Sequence, residues 1–133
     1  MIVAATNECG EVIRENPDRT VLSVDIGEVA SADELYRAFV RQLRTDPQMD
    51  PDGSMLWDAL VDGVGNGIDA TVPLERAVIL TVGPADLLRA RNVAVLDELM
   101  AWLEQLEERI ERNRAPAPRL LAIVHGNHAS FAR

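Results

Sequence analysis

Three short apolar runs, separated by stretches with helical periodicity, constrain the fold of this 133-residue chain more than any other feature. The runs are rich in β-branched residues, which is typical of strands, and they occupy residues 21–29, 76–82 and 119–126. Strands that alternate with helices pair in parallel, because a parallel connection needs a long crossover. We therefore expect an α/β fold with a small three-stranded parallel sheet packed with helices.

The first helix is predicted to begin after Ser31. Ser31 and Glu34 have the spacing of a capping box, in which the two residues satisfy free backbone N–H groups at a helix N-terminus. Apolar residues at helical spacing continue this helix through Arg44. Residues 45–54 contain two prolines, one glycine and several short polar residues, which indicates a loop.

A second helix is predicted over residues 54–64. Gly63, Gly65 and Gly67 are expected to end it, because glycine is favoured just beyond a helix C-terminus. After Pro84 we expect a short helical turn, followed by a long helix over residues 93–113. The apolar stripe of this long helix is too short for a confident coiled coil and is better explained by core packing. The stripe consists of Leu96, Leu99, Leu103, Leu106 and Ile110.

The two ends of the chain are less regular. Residues 1–18 are interpreted as an N-terminal extension that holds an extra strand or hairpin, and residues 19–133 as the domain itself. The prolines of residues 115–118 are expected to break the last helix, and residues 127–133 to form a loose tail.

The charge of the chain limits its possible partners. The formal net charge is −9, and all 13 basic residues are arginine. Nucleic acids need a basic surface, so a nucleic-acid-binding function is not expected, whereas a basic protein partner is permitted. A negative charge that only maintains solubility explains the composition equally well.

The sequence predicts a cytoplasmic protein. It contains no apolar run long enough to span a membrane, and its N-terminus lacks the basic segment of a secretory signal. A single cysteine, Cys9, cannot form an internal disulfide, which is consistent with a reducing compartment.

Recognisable catalytic motifs are absent from the sequence. It has no P-loop, no GxGxxG after a strand and no GxSxG. His125 and His128 are three residues apart at a strand end without further metal-ligand spacing, so we interpret them as tail residues. We expect no enzymatic activity, no metal and no cofactor.

The second helix has an unusual acidic face. Asp58 and Asp62 are four residues apart, where like charges repel on a helix. Asp58 is favoured in the first turn by the helix dipole, but Asp62 lies near the predicted C-terminus, where a carboxylate is disfavoured. Either the face is merely solvated, or the carboxylates meet cations of a partner.

The segment Gly53-Ser-Met-Leu-Trp-Asp-Ala-Leu-Val-Asp62 resembles the barstar family of intracellular ribonuclease inhibitors. In that family a glycine is followed by a helix with the pattern [LW]-D-A-L-x-D, and residues 57–62 retain it. The order of strands and helices is also similar, and the resemblance covers residues 21–126. It implies a barstar-like fold.

The resemblance also implies a function. The family's helix and preceding loop block a ribonuclease active site, and acidic side chains stand in for RNA phosphates. Asp62 corresponds to the most important contact, and we take Glu104 as the acidic residue that the family uses on its last helix. The partner-binding residues implied are Asp52, Gly53, Met55, Asp58, Asp62 and Glu104.

The expected partner is a basic ribonuclease or toxin domain, and the chain would be its immunity protein or antitoxin. The chain departs from the family pattern: Met55 or Leu56 replaces an asparagine, and Pro51 and Asp52 stand where an aromatic residue is usual. These departures favour an alternative, a regulatory or scaffolding protein of the same fold that binds a non-nuclease partner.

Overall fold

The computed structural model describes residues 1–114, 120–128 and 131. Its centre is one sheet of four parallel strands in the order β1-β4-β3-β2. The strands are β1 (Ile2–Ala5), β2 (Thr20–Asp25), β3 (Val78–Gly83) and β4 (Leu120–Gly126). The α/β class and the parallel sheet are confirmed, but the prediction of three strands is wrong.

The additional strand comes from the predicted N-terminal extension. β1 pairs with β4 from Ile2 opposite Ile123 to Ala5 opposite Gly126. Four residues are too few to show a clear alternating pattern, and their partner strand lies near the other end of the chain. Sequence reasoning allowed an extra strand within residues 1–18 but did not place it in the sheet, because its hydrogen bonds form only in the assembled sheet.

The helices cover the sheet on both faces. Helix α1 (Thr6–Glu15) lies on one face, and α2 (Ala32–Gln42), α3 (Trp57–Thr71), α4 (Asp86–Arg91) and α5 (Val93–Asn113) lie on the other. The connection from β1 to β2 crosses the sheet in the opposite direction to the later connections. Right-handed crossovers in opposite directions place their helices on opposite faces, which explains the isolated position of α1.

The main hydrophobic core lies beneath α2, α3 and α5. Phe39, Leu60 and Trp102 are among its largest fully or almost fully buried side chains. The bounds of α5 match the prediction, and its expected stripe is confirmed as buried: Leu96, Leu99, Leu103, Leu106 and Ile110.

Helix α2 begins as predicted. The Ser31 hydroxyl accepts a hydrogen bond from the backbone N–H of Glu34 at 3.2 Å and donates one to the Glu34 carboxylate at 3.0 Å. At the other end of α2, the Gln42 amide bonds both the N–H and the carbonyl of Asp25, the last residue of β2. The strand ends earlier than expected. Because β2 lies at the edge of the sheet, Asp25 has backbone groups without a strand partner, and Gln42 satisfies them.

Helix α3 contradicts the prediction at both ends. It runs from Trp57 to Thr71 rather than over residues 54–64, and the three glycines lie inside it. A Cβ at Gly67 would lie 1.9 Å from the Arg44 carbonyl oxygen, and one at Gly63 would lie 2.6 Å from the Met49 sulfur. These glycines let the helix approach the chain that precedes it, so they serve packing rather than termination.

Arg114 closes the C-terminal end of α3. Its guanidinium, with a side chain that is fully buried, donates to the carbonyls of Ile68 and Val72 and forms an ion pair with Asp69 at 3.1 Å. Cations are favoured at the negative end of a helix, where carbonyls lack intrahelical partners. A residue that is distant in sequence thus satisfies the last carbonyls of α3.

The C-terminal predictions are only partly covered by the structure. The proposed break at residues 115–118 lies outside the described residues, as do 129, 130, 132 and 133. Phe131, expected in a loose tail, is instead buried against the main core, with the Arg89 guanidinium 4.8 Å from its ring centroid. Among the described residues, no helix is long and apolar enough to cross a membrane.

Candidate protein-binding surface

The loop before α3 is held against α2. The Tyr36 hydroxyl donates to the Asp50 carbonyl at 2.7 Å, and the Met55 N–H donates to the Asp33 carboxylate at 3.0 Å. Gly53 packs on the Tyr36 ring, where a Cβ would lie 3.0 Å from the hydroxyl oxygen. The start of α3 is therefore positioned by side chains of α2 and not by a capping side chain of its own.

The two tryptophans anchor the N-terminal turn of α3. The Trp57 ring centroid lies 6.1 Å from that of Trp102, which in turn contacts Phe39 edge-on at 5.0 Å. The Trp102 indole N–H donates to the Trp57 carbonyl at 3.0 Å. Trp57 itself is half-buried. Tilted and edge-on ring pairs add stability beyond the area that they bury, so this turn is firmly fixed.

The outward side of α3 combines acidic and apolar groups. Asp58, Ala59 and Asp62 are exposed, and Leu56, just before the helix, exposes 67% of its surface. Asp58 lies in the first turn, where the helix dipole favours a carboxylate. We call Leu56, Asp58, Ala59 and Asp62 the α3 surface. A surface of this kind suits a protein partner that carries cations around an apolar contact.

Asp62 lies elsewhere on the helix than the sequence indicated. It is in the middle of α3, so the expected dipole penalty does not apply. Its carboxylate faces a cation of the same chain: Asp62 Oδ1 lies 3.4 Å from Arg109 Nε. The helix dipole therefore gives no reason for Asp62 to need a cation from outside the chain, although its side chain remains 71% exposed and accessible.

Glu104 lies away from the α3 surface. It lines a cavity of about 450 Å³ together with Arg19, Glu107 and Leu121, near the start of β4. A different α5 carboxylate, that of Glu98, accepts a hydrogen bond from the Trp57 indole at 2.7 Å. Glu98 and Asp58 share a cavity of about 200 Å³, whose other lining residues are Trp57, Ala101, Trp102 and Gln105.

The remaining predicted site residues flank α3. Asp52 is exposed, whereas Gly53 and Met55 are partly covered, and Met55 packs on the main core. The structure thus brings the loop, Asp58 and Asp62 together and leaves Glu104 apart. Sequence reasoning missed Glu98. Parallel packing of α3 and α5 places Glu98 beside Trp57, and no pattern within either helix indicates that pairing.

Titratable groups elsewhere are less suited to a shared site. The described residues include no group of three or more histidine, cysteine and acidic side chains that could hold a metal. Cys9 is buried, and burial raises the pKa of its thiol, which lowers its reactivity. His125 is partly buried, and its Nδ1 forms a hydrogen bond of 2.9 Å with the Thr6 hydroxyl.

No protein-family model matches this chain, and no curated protein matches it either.

Proposed function

We propose that this chain is a protein inhibitor that binds and blocks a basic ribonuclease, with the carboxylates of the α3 surface occupying the sites of RNA phosphates. One observation carries the proposal: Asp58 and Asp62 are exposed side by side on a helix whose opposite side is anchored by buried aromatic rings. The barstar-like fold belongs to the same proposal. It is supported by the element order from β2 to β4 and by the motif of residues 57–62.

Electrostatics supports a basic partner. The chain has a formal net charge of −9, and acidic residues from both α3 and α5 lie near Trp57. Complementary charge speeds the encounter of two proteins and suppresses wrong partners. A ribonuclease active site must be cationic, because it binds phosphates, so a rigid acidic helix is a suitable competitor.

A second candidate is a regulatory or scaffolding protein that binds a non-nuclease partner through the same surface. The ion pair between Asp62 and Arg109 favours it, because the carboxylate that the resemblance makes most important is already engaged. The replacement of the family's asparagine by Met55 or Leu56 points the same way.

Affinity capture from the native cell tests the proposal. Wild-type protein is compared with the double variant Asp58→Ala/Asp62→Ala, at low and moderate salt, and captured proteins are assayed for RNA cleavage. We expect wild type to capture a basic ribonuclease and to inhibit it. Losing both carboxylates should weaken binding by about 2 kcal/mol or more, because truncating buried charged contacts has effects of this size.

Asp18→Ala is the matched control, because Asp18 is also exposed but lies in the turn after α1. This variant should capture the ribonuclease as wild type does. Capture of one non-nuclease partner by wild type, lost in the double variant, would replace the inhibitor proposal with the second candidate. A captured nuclease whose activity is unaffected by the chain would contradict inhibition.

A further inference from the structure

The two carboxylates of the α3 surface have different electrostatic surroundings. Arg109 Nε lies 3.4 Å from Asp62 Oδ1. Within the described part of the chain, no cation forms an ion pair with Asp58. Asp58 instead shares its cavity with a second carboxylate, Glu98. Negative potential is therefore concentrated at the N-terminal end of the surface and reduced at Asp62.

Arg109 is held in place by α3 itself. Its guanidinium donates through Nη2 to the Asn66 side-chain carbonyl, and only 17% of the side chain is exposed. It also lies directly over Gly65: a Cβ there would be 2.8 Å from Nε and 2.9 Å from Cδ. Gly65, Asn66 and Asp62 thus form the site in which the Arg109 side chain lies. Any larger residue at position 65 would fill part of that site.

We propose that Arg109 is a specificity-determining residue of the α3 surface. It neutralises Asp62 in the free protein, so the surface selects a partner whose cations face Asp58 and whose group opposite Asp62 is a neutral hydrogen-bond donor. The inference rests on the proposed binding surface and limits the proposed phosphate mimicry to Asp58, but it does not depend on the partner being a nuclease.

The physical reason is repulsion at the interface. A partner cation that approached Asp62 would come close to the Arg109 guanidinium, and like charges oppose each other strongly once water is removed. A hydroxyl or amide donor can use the exposed lone pairs of Asp62 without this penalty. Displacing Arg109 is unfavourable, because a largely buried cation would lose its carboxylate partner.

A double-mutant cycle tests the inference. The binding of a hexa-arginine peptide at low salt is measured by calorimetry for wild type, Asp58→Asn, Asp62→Asn, Arg109→Gln and the variant Asp62→Asn/Arg109→Gln. We expect Asp58→Asn to weaken binding more than Asp62→Asn does. In the Arg109→Gln background, Asp62→Asn should weaken peptide binding about fivefold more than it does in wild type, which is the coupling expected of a partly exposed ion pair.

Arg109→Lys separates charge from packing. Like Arg109→Gln it loses the guanidinium contacts, but it keeps the positive charge. In the Arg109→Lys background we expect Asp62→Asn to weaken peptide binding as little as it does in wild type. A purely structural role of Arg109 would instead make the lysine and glutamine variants behave alike. Equal costs of Asp62→Asn in the wild-type and Arg109→Gln backgrounds would overturn the inference, as would weaker peptide binding by Arg109→Gln.

Two further outcomes remain decisive. If Arg109→Gln does not fold, the wild-type background still decides: an Asp62→Asn loss equal to or larger than that of Asp58→Asn contradicts the inference. If affinity capture yields no ribonuclease, the proposed function fails while the peptide cycle still gives its own answer. Where a partner is captured, the same cycle is repeated with that purified partner.

Discussion

The two faces of the sheet differ greatly in the amount of structure packed against them. Among the described residues, one face carries four helices and the main core, whereas the other carries only α1, with a small buried cluster of Ala4, Cys9, Ile79 and Ile123. The α3 surface lies on the face with the main core, where the Trp57 carbonyl accepts a hydrogen bond from Trp102 and the Trp102 ring packs on Phe39. A rigid support of this kind reduces the entropy lost on binding a partner.

The largest expected contrast is in core truncation. Leu99→Ala removes a fully buried side chain from the main core and should lower the free energy of unfolding by about 2–5 kcal/mol. Cys9→Ala, in the small cluster beneath α1, should cost about 1 kcal/mol, since it removes only one sulfur atom. Urea unfolding measures both. If Cys9→Ala lowered the free energy of unfolding as much as Leu99→Ala does, the face covered by α1 would be as important for stability as the face with the main core.

A second contrast compares the same substitution in two helices. In Gly67→Ala the new Cβ would lie 1.9 Å from the backbone oxygen of Arg44, so α3 or the preceding chain must shift. We expect a loss of about 1–3 kcal/mol, the usual cost of overpacking. In Gly10→Ala the nearest atom is the end of the Arg14 side chain at 3.5 Å. This variant should gain about 0.5–1 kcal/mol, because alanine favours helix.

Thermal and urea unfolding measure both the expected loss of stability in Gly67→Ala and the expected gain in Gly10→Ala. A neutral or stabilising Gly67→Ala would contradict the close approach of α3 to residues 44–45. A destabilising Gly10→Ala would indicate that α1 is more tightly packed than its surroundings suggest.

The smallest expected effect concerns pH and the face covered by α1. Burial lowers the pKa of His125, and the nearby carboxylates of Asp86 and Asp25 only partly oppose this. The unfolded chain therefore takes up the proton first, so stability should fall as the pH drops below about 6.5, the ordinary histidine value. His125→Gln should reduce this loss in urea unfolding between pH 8 and pH 5.

Asn127→Gln, at an exposed position near His125, is the matched control, because it removes no titratable group, and it should retain the wild-type pH dependence. Asp86 does not interfere in this range. Burial raises the pKa of its carboxyl, but hydrogen bonds from the backbone of Asn127, His128 and Asp86 itself, together with the Arg89 charge, lower it overall. Its stabilising effect is lost only at more acidic pH. An unchanged pH dependence in His125→Gln would show that another group titrates.

Local patterns predicted much of the framework. The stripe of α5, the serine cap of α2 and the buried run of β3 depend on neighbours in sequence, and each is observed. Asp58 and Asp62 were likewise found from their spacing of four residues, and the structure exposes both. The positions of Asp62 and Glu104 relative to other helices were not predictable, because they depend on how α3 and α5 pack.

The sequence by itself determined the helices with strong periodicity, the buried central strands and the presence of an acidic helical face. Only the tertiary structure decided that β1 joins the sheet, that α3 continues through three glycines and is closed by Arg114, and that Arg109 lies beside Asp62. The physical reason is that periodicity records which side of an element is buried. It does not record which distant backbone, carboxylate or guanidinium lies on that side.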